Sequence, residues 1–137
     1  MDLSIFLHPL KFIPILMSLF GIIILFRIRK KEYKNTYKRT IWTSALLFFI
    51  VYFIIVFDST CQEIYYKSQL NKFDLDGNGI FNGLEITADF KEAMKLVISD
   101  TGRTFAPFTG IVYAGFLSLV VFLSISVFKK LKMIIKK

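Results

Sequence analysis

The sequence predicts an all-α membrane protein, with three transmembrane helices and one polar helix–loop–helix inserted between helices 2 and 3. Three observations lead there. Hydrophobic residues make up 55% of the 137 positions, more than the ~45–50% usual for soluble domains. The excess is gathered into three long runs instead of being spread along amphipathic elements. The segments between those runs also differ sharply in charge. The length leaves room for one modest domain.

The first run, Leu3 to Phe26, contains Lys11 as its only charge and places span one at 3–28. The fifteen uncharged residues after Lys11 would make only about 22 Å of helix against a ~30 Å hydrocarbon core. The span must therefore begin upstream, with Lys11 snorkelling to the headgroups and Pro9 and Pro14 bending the first turns. A cleaved signal peptide would open with basic residues and offer a small-residue cleavage site. This chain opens Met1-Asp2, and no such site precedes Arg27, so a retained helix is expected. The second span, 41–57, has seventeen residues without a charge. That is near the lower limit for crossing, and the helix is expected to continue beyond Asp58. Trp42 stands at its edge as an interfacial aromatic. The third span, 104–128, has twenty-five uncharged residues.

Charge sets the expected sidedness. Residues 27–40 hold seven Lys/Arg and one Glu, and the tail from Lys129 holds five Lys. Residues 58–103 hold eight acidic and five basic residues. Basic segments stay on the cytoplasmic side. The expectation is a basic cytoplasmic loop at 29–40, a basic cytoplasmic tail at 129–137, and an extracytoplasmic N-terminus and 58–103 segment. Because the 27–40 segment lies between two spans, membrane lipids are its expected partner, and no nucleic acid is expected.

Residues 74–85 read DLDGNGIFNGLE and satisfy D-x-[DN]-x-[DN]-G-x5-E without a departure. Tyr66, Leu70 and Phe73 before the loop repeat at i, i+4, i+7. Phe90, Ala93, Met94, Val97 and Ile98 after it repeat at i, i+3, i+4, i+7, i+8, with Gly102 expected to stop the helix. Each set gives one apolar helix face. Residues 62–99 thus resemble the EF-hand calcium-binding superfamily, as a single hand. The resemblance implies one Ca2+ held by Asp74, Asp76, Asn78, the Ile80 carbonyl, Asn82 and Glu85. Calcium is a hard cation that takes 6–8 oxygens, Gly79 permits the sharp turn, and Glu85 would close the site. The whole arrangement is also similar to small bacterial inner-membrane proteins with one such hand, a likeness that carries no particular activity.

EF-hands usually pair through the middle of the loop, and this chain has one loop only. Ile80 and Phe81 are therefore expected to be covered by a second copy, by another protein, or by the chain's own helices. Ala106, Gly110, Ala114 and Ser118 form a small-residue stripe on span three, suited either to a membrane partner or homo-oligomer or to packing within the chain. Cys61, the lone cysteine, is expected as a buried thiol, with a cross-link between two subunits as the alternative, and His8 as a packed or interfacial histidine. Arg103 is expected as an interfacial anchor, with Asp58 or Asp100 as alternative ion-pair partners. No catalytic set is present and no charge sits at the centre of a span, so an enzyme is not expected. The expected function is calcium-stabilised accessory or assembly subunit of a membrane complex; the alternative is a calcium-responsive regulator of a channel, transporter or receptor.

Overall fold

The computed structural model describes residues 3–32, 36–98 and 101–135, with side chains described for 12–28, 37–98 and 102–135. The expectations for the His8 and Lys11 side chains and for Asp100 lie outside them. The architecture is all-α. Four helices follow in order: α1 Leu3–Glu32, α2 Thr36–Leu70, α3 Ala88–Ile98 and α4 Thr101–Ile135. Two short 3-10 turns, Asn71–Phe73 and Gly83–Glu85, lie between α2 and α3. Among the described residues two helices are long and apolar enough to cross a membrane, one covering α2 and one covering α4. Helix α1 contributes the shorter apolar stretch Phe12–Ile28.

Several boundaries differ from the sequence expectation. The 29–40 segment is helical at both ends, because α1 runs on to Glu32 and α2 begins at Thr36. The tail is helical to Ile135. Lys, Arg and Glu are good helix formers, so charge marks where a chain leaves hydrocarbon but not where its helix ends. Helix α2 does continue beyond Asp58, as far as Leu70. Gly102 stops nothing: α3 ends at Ile98, and Gly102 lies in the first turn of α4. A single glycine costs a helix only about 1 kcal/mol, which a 35-residue helix easily absorbs.

The chain divides into two compact units, 1–56 with 107–137, and 57–106. In the first, α1, α2 and α4 meet at a cluster of Tyr52, Val56 and Ala114, against which Ile15, Phe48 and Val51 pack. Contacts between these helices depend on small residues. A Cβ placed on Gly110 would lie 3.2 Å from Tyr52 Cδ2 and 3.3 Å from Ile55 Cγ2, and one on Gly21 would overlap the Phe49 ring. Ala114 is 0% exposed, and Ser118 Oγ donates to the Ser44 carbonyl at 2.7 Å. Gly110, Ala114 and Ser118 are thus spent on α2, within the chain. They are not a free docking face, because the small side chains let the Tyr52 ring reach the α4 backbone. Trp42 packs edge-on to Phe26 with ring centroids 6.3 Å apart, and its indole N–H donates to the Leu25 carbonyl at 2.7 Å, joining α1 to α2.

The second unit is built on Phe90. Its ring lies 5.9 Å from Phe73 and 4.7 Å from Phe81, centroid to centroid, and Leu70 and Phe90 are buried. Phe81 therefore has its cover inside the unit, whereas Ile80 is exposed. Thr87 caps α3, with Oγ1 accepting Phe90 N–H at 3.1 Å, and Asp89 in the first turn complements the helix dipole. Arg103 reaches the other end of α3. Its Nη2 donates to the Leu96 carbonyl at 2.5 Å, and its Cζ lies 4.4 Å from the centroid of the Tyr66 ring. Arg103 thus ties α2, α3 and α4 together. Cys61 is exposed, not buried. It shares the outward face of α2 with Asp58, Gln62 and Tyr65, where Gln62 donates to Asp58 at 2.8 Å.

Gly110→Leu should destabilise the first unit by about 1–3 kcal/mol, because added carbons force strain where packing is already tight. Gly115→Leu should cost less, since its nearest neighbour lies at 4.0 Å. Unfolding of both variants in mixed detergent micelles measures the difference, and equal losses would show that the close approach at Gly110 is unimportant.

Candidate metal centre

Residues 74–82 lie between the two 3-10 turns without regular structure, and their own side chains hold them. Asp74 Oδ2 accepts the Gly79 N–H at 2.9 Å. Asp76 Oδ1 accepts Asn78 N–H at 3.1 Å, and Asn78 Oδ1 accepts Ile80 N–H at 2.6 Å. Such side-chain-to-backbone turns are typical of Asp and Asn. The curl needs φ of +69° at Gly77 and +75° at Gly79, which costs other residues about 1–2 kcal/mol each. A Cβ at either glycine would meet nothing within 4 Å, so the demand is on the backbone and not on space.

Glu85 fastens the two ends of the loop. Its Oε1 accepts Leu75 N–H at 2.7 Å and, more weakly, Asp76 N–H at 3.4 Å. Its Oε2 accepts Asn82 N–H at 3.0 Å. The side chain can do this because the Gly83–Glu85 turn places it beneath the loop, where it is buried.

These bonds gather negative charge. One carboxylate oxygen from each of Asp74, Asp76 and Glu85 lies within 4.8 Å of the other two. A cation 2.3–2.6 Å from each ligand requires those oxygens to lie no more than about 5 Å apart. The cluster meets that limit near its loose end. Each carboxylate pair at this distance repels by roughly 1 kcal/mol in water and about 3 kcal/mol at an effective dielectric of 20. Asp74 Oδ1 is buried without a hydrogen-bond partner, an arrangement that leaves a desolvated acceptor uncompensated. Both features fit a hard divalent cation.

The six expected ligands are thus treated unequally. Asp74, Asp76 and Glu85 converge. Asn78 commits its oxygen to Ile80 N–H and donates Nδ2 to Asp76 Oδ2 at 2.6 Å. The Ile80 carbonyl faces Asn82 Nδ2 at 3.5 Å. Each of these oxygens keeps a second lone pair. Thr87 and Gly77 shape the site from outside the ligand set. Their signals were a Thr ahead of Ala-Asp-Phe and a glycine directly after the second aspartate. No family model matches the chain, and no curated protein or solved structure is significantly similar to it.

Glu85→Ala removes the acceptor for three backbone N–H groups and should speed amide exchange at Leu75 and Asn82 by about tenfold or more, given ~1.5–3 kcal/mol for bonds to a charged group. Hydrogen–deuterium exchange across residues 74–86 reads this, with α2 residues 44–56, in the other unit, as the internal reference. Unchanged protection at both amides would remove Glu85 as the fastening residue.

Proposed function

We propose that this chain is a three-span membrane protein whose 74–85 loop is a single EF-hand holding one Ca2+. Asp74, Asp76 and Glu85 supply carboxylate oxygens, with Asn78, Ile80 and Asn82 completing the set. The carrying observation is the convergence of three carboxylates around a buried, unpartnered Asp74 oxygen. When bound, calcium would neutralise the cluster and lock the loop. The residues themselves already hold the backbone in the required curl.

The membrane reading is supported by what the helices leave uncovered. Only 22% of the apolar window in α2 and 6% of that in α4 is buried, whereas the core helix of a soluble protein is mostly covered. Phe108, Val112, Phe116 and Leu119 of α4 all face outward, which favours a lipid environment. Helix α1 has 30 residues, about 45 Å at 1.5 Å each, and supports a third crossing despite its shorter apolar stretch. The positive-inside bias supports a loop on the outer side, and the membrane we propose is a bacterial inner membrane.

With most of the small-residue stripe spent on α2, a partner would have to be met elsewhere. Leu75, Ile80 and Leu84 are exposed within the loop, Leu84 at 91%. Such apolar exposure supports a contact surface and favours an accessory or assembly role with calcium fixing the surface's shape. The regulatory reading needs a site that empties and fills, and its location decides that. Extracellular modules bind at ~10⁻⁴–10⁻³ M and sensors at ~10⁻⁷–10⁻⁵ M.

Titration calorimetry on the full chain in detergent should show one calcium per chain with Kd about 10⁻⁴–10⁻³ M. Glu85→Gln and Asp74→Asn should each weaken binding at least tenfold; affinity equal to the parent chain's in both would sink the assignment. Sidedness is read separately. In a Cys61→Ser background, a membrane-impermeant thiol reagent should label Asn82→Cys in intact cells. Labelling only after lysis would reverse the topology and favour the sensor.

A further inference from the structure

A groove of about 600 Å3 lies where α2 begins and α4 ends, lined by Tyr37, Thr40, Ser126, Lys129, Lys130 and Lys132. Its size falls within the ~300–1,000 Å3 of small-molecule sites. Its walls are mainly apolar, with Met133 extending them. Two contacts fix the wall. The Tyr37 ring packs edge-on to Phe122 at 6.3 Å between centroids. Lys129 Nζ donates to the hydroxyl of buried Thr40, so one ammonium is held on the groove while Lys130 and Lys132 stand exposed at it.

The position along α4 matters as much as the composition. The uncharged run 104–128 makes about 37 Å of helix at 1.5 Å per residue, enough to cross the ~30 Å hydrocarbon layer. The next residue, Lys129, then sits at headgroup depth. Three lysines line this one groove with no carboxylate among its named lining residues, and a phosphate bound there would offset their charge. A free phosphate has no use for apolar walls, and an acyl chain has none for three lysines. An anionic phospholipid uses both.

We propose that this groove is a binding site for one anionic phospholipid of the leaflet that meets the basic ends of α2 and α4. The phosphodiester lies among Lys129, Lys130 and Lys132, and an acyl chain runs from there past Tyr37 and Ser126 toward Phe122, on the hydrocarbon side of the lysines. The inference rests on the membrane-spanning reading and is independent of the calcium loop. It differs from the diffuse attraction of basic segments to anionic membranes, which needs no groove and no fixed stoichiometry.

The test is native mass spectrometry of the full chain released from mild detergent with phosphatidylglycerol or phosphatidylcholine of identical acyl chains. One phosphatidylglycerol per chain should be retained in preference to phosphatidylcholine. Lys130→Gln with Lys132→Gln should weaken retention about 25-fold, about fivefold for each lysine, and Lys130→Arg with Lys132→Arg should preserve it. Arg27→Gln with Lys38→Gln removes equal charge outside the groove and should change retention less than about twofold. Loss as large in that control would mean diffuse attraction, and equal retention of phosphatidylcholine would mean no headgroup selection. Displacement of the lipid by millimolar inorganic phosphate would mean a phosphate site only. Each of these three results overturns the proposal.

Discussion

The polar half of this chain depends on one carboxylate. Glu85 accepts backbone N–H groups from Leu75, Asp76 and Asn82, so a single side chain holds together both ends of a nine-residue irregular stretch, 74–82. Without it, the turns that Asp74 and Asp76 make with Gly79 and Asn78 would have nothing to tie them to the far end of the loop. The same fastening brings Phe81 back over Phe90, and the aromatic cluster then determines where α3 begins. Loop chemistry and the small hydrophobic core are therefore one cooperative arrangement.

The apolar unit uses a different economy. The proposed lipid surroundings would offer no hydrophobic drive between helices, so close backbone approach and hydrogen bonds would have to hold them. Gly21 accommodates the Phe49 ring, Gly110 the Tyr52 ring, and Ser118 and Trp42 each donate to a carbonyl on a neighbouring helix. Large apolar side chains are left facing outward, the reverse of a soluble core.

How much of this could be read from the sequence depended on the kind of signal. Helical content and the gathering of carboxylates within 74–85 were legible because period and residue spacing are local properties. The convergence of Asp74, Asp76 and Glu85 follows from that spacing together with Gly77 and Gly79. Helix ends were not legible from charge, since Arg27 and Arg29 in α1 and Lys38 and Arg39 in α2 propagate helix as readily as they mark an interface. The small-residue stripe could be seen but its occupant could not, because Tyr52 lies in a distant part of the sequence. Cys61 was misplaced because a thiol's usual burial says nothing about which face of α2 it occupies. The same limit applies to Phe81, whose cover, Phe90, lies nine positions on, in the next helix.

Arg103 gives α3 an asymmetry. At its C-terminal end a guanidinium donates to the Leu96 carbonyl and lies over Tyr66, while Ser59 Oγ donates to the Arg103 carbonyl at 3.0 Å. At its N-terminal end the helix is held by the Thr87 cap and the loop that leads into it. With one end tied by a guanidinium and the other by a threonine cap, α3 is fastened at both ends by groups from within residues 57–106, so its register against Phe73 and Phe81 is set by short-range contacts of the chain itself.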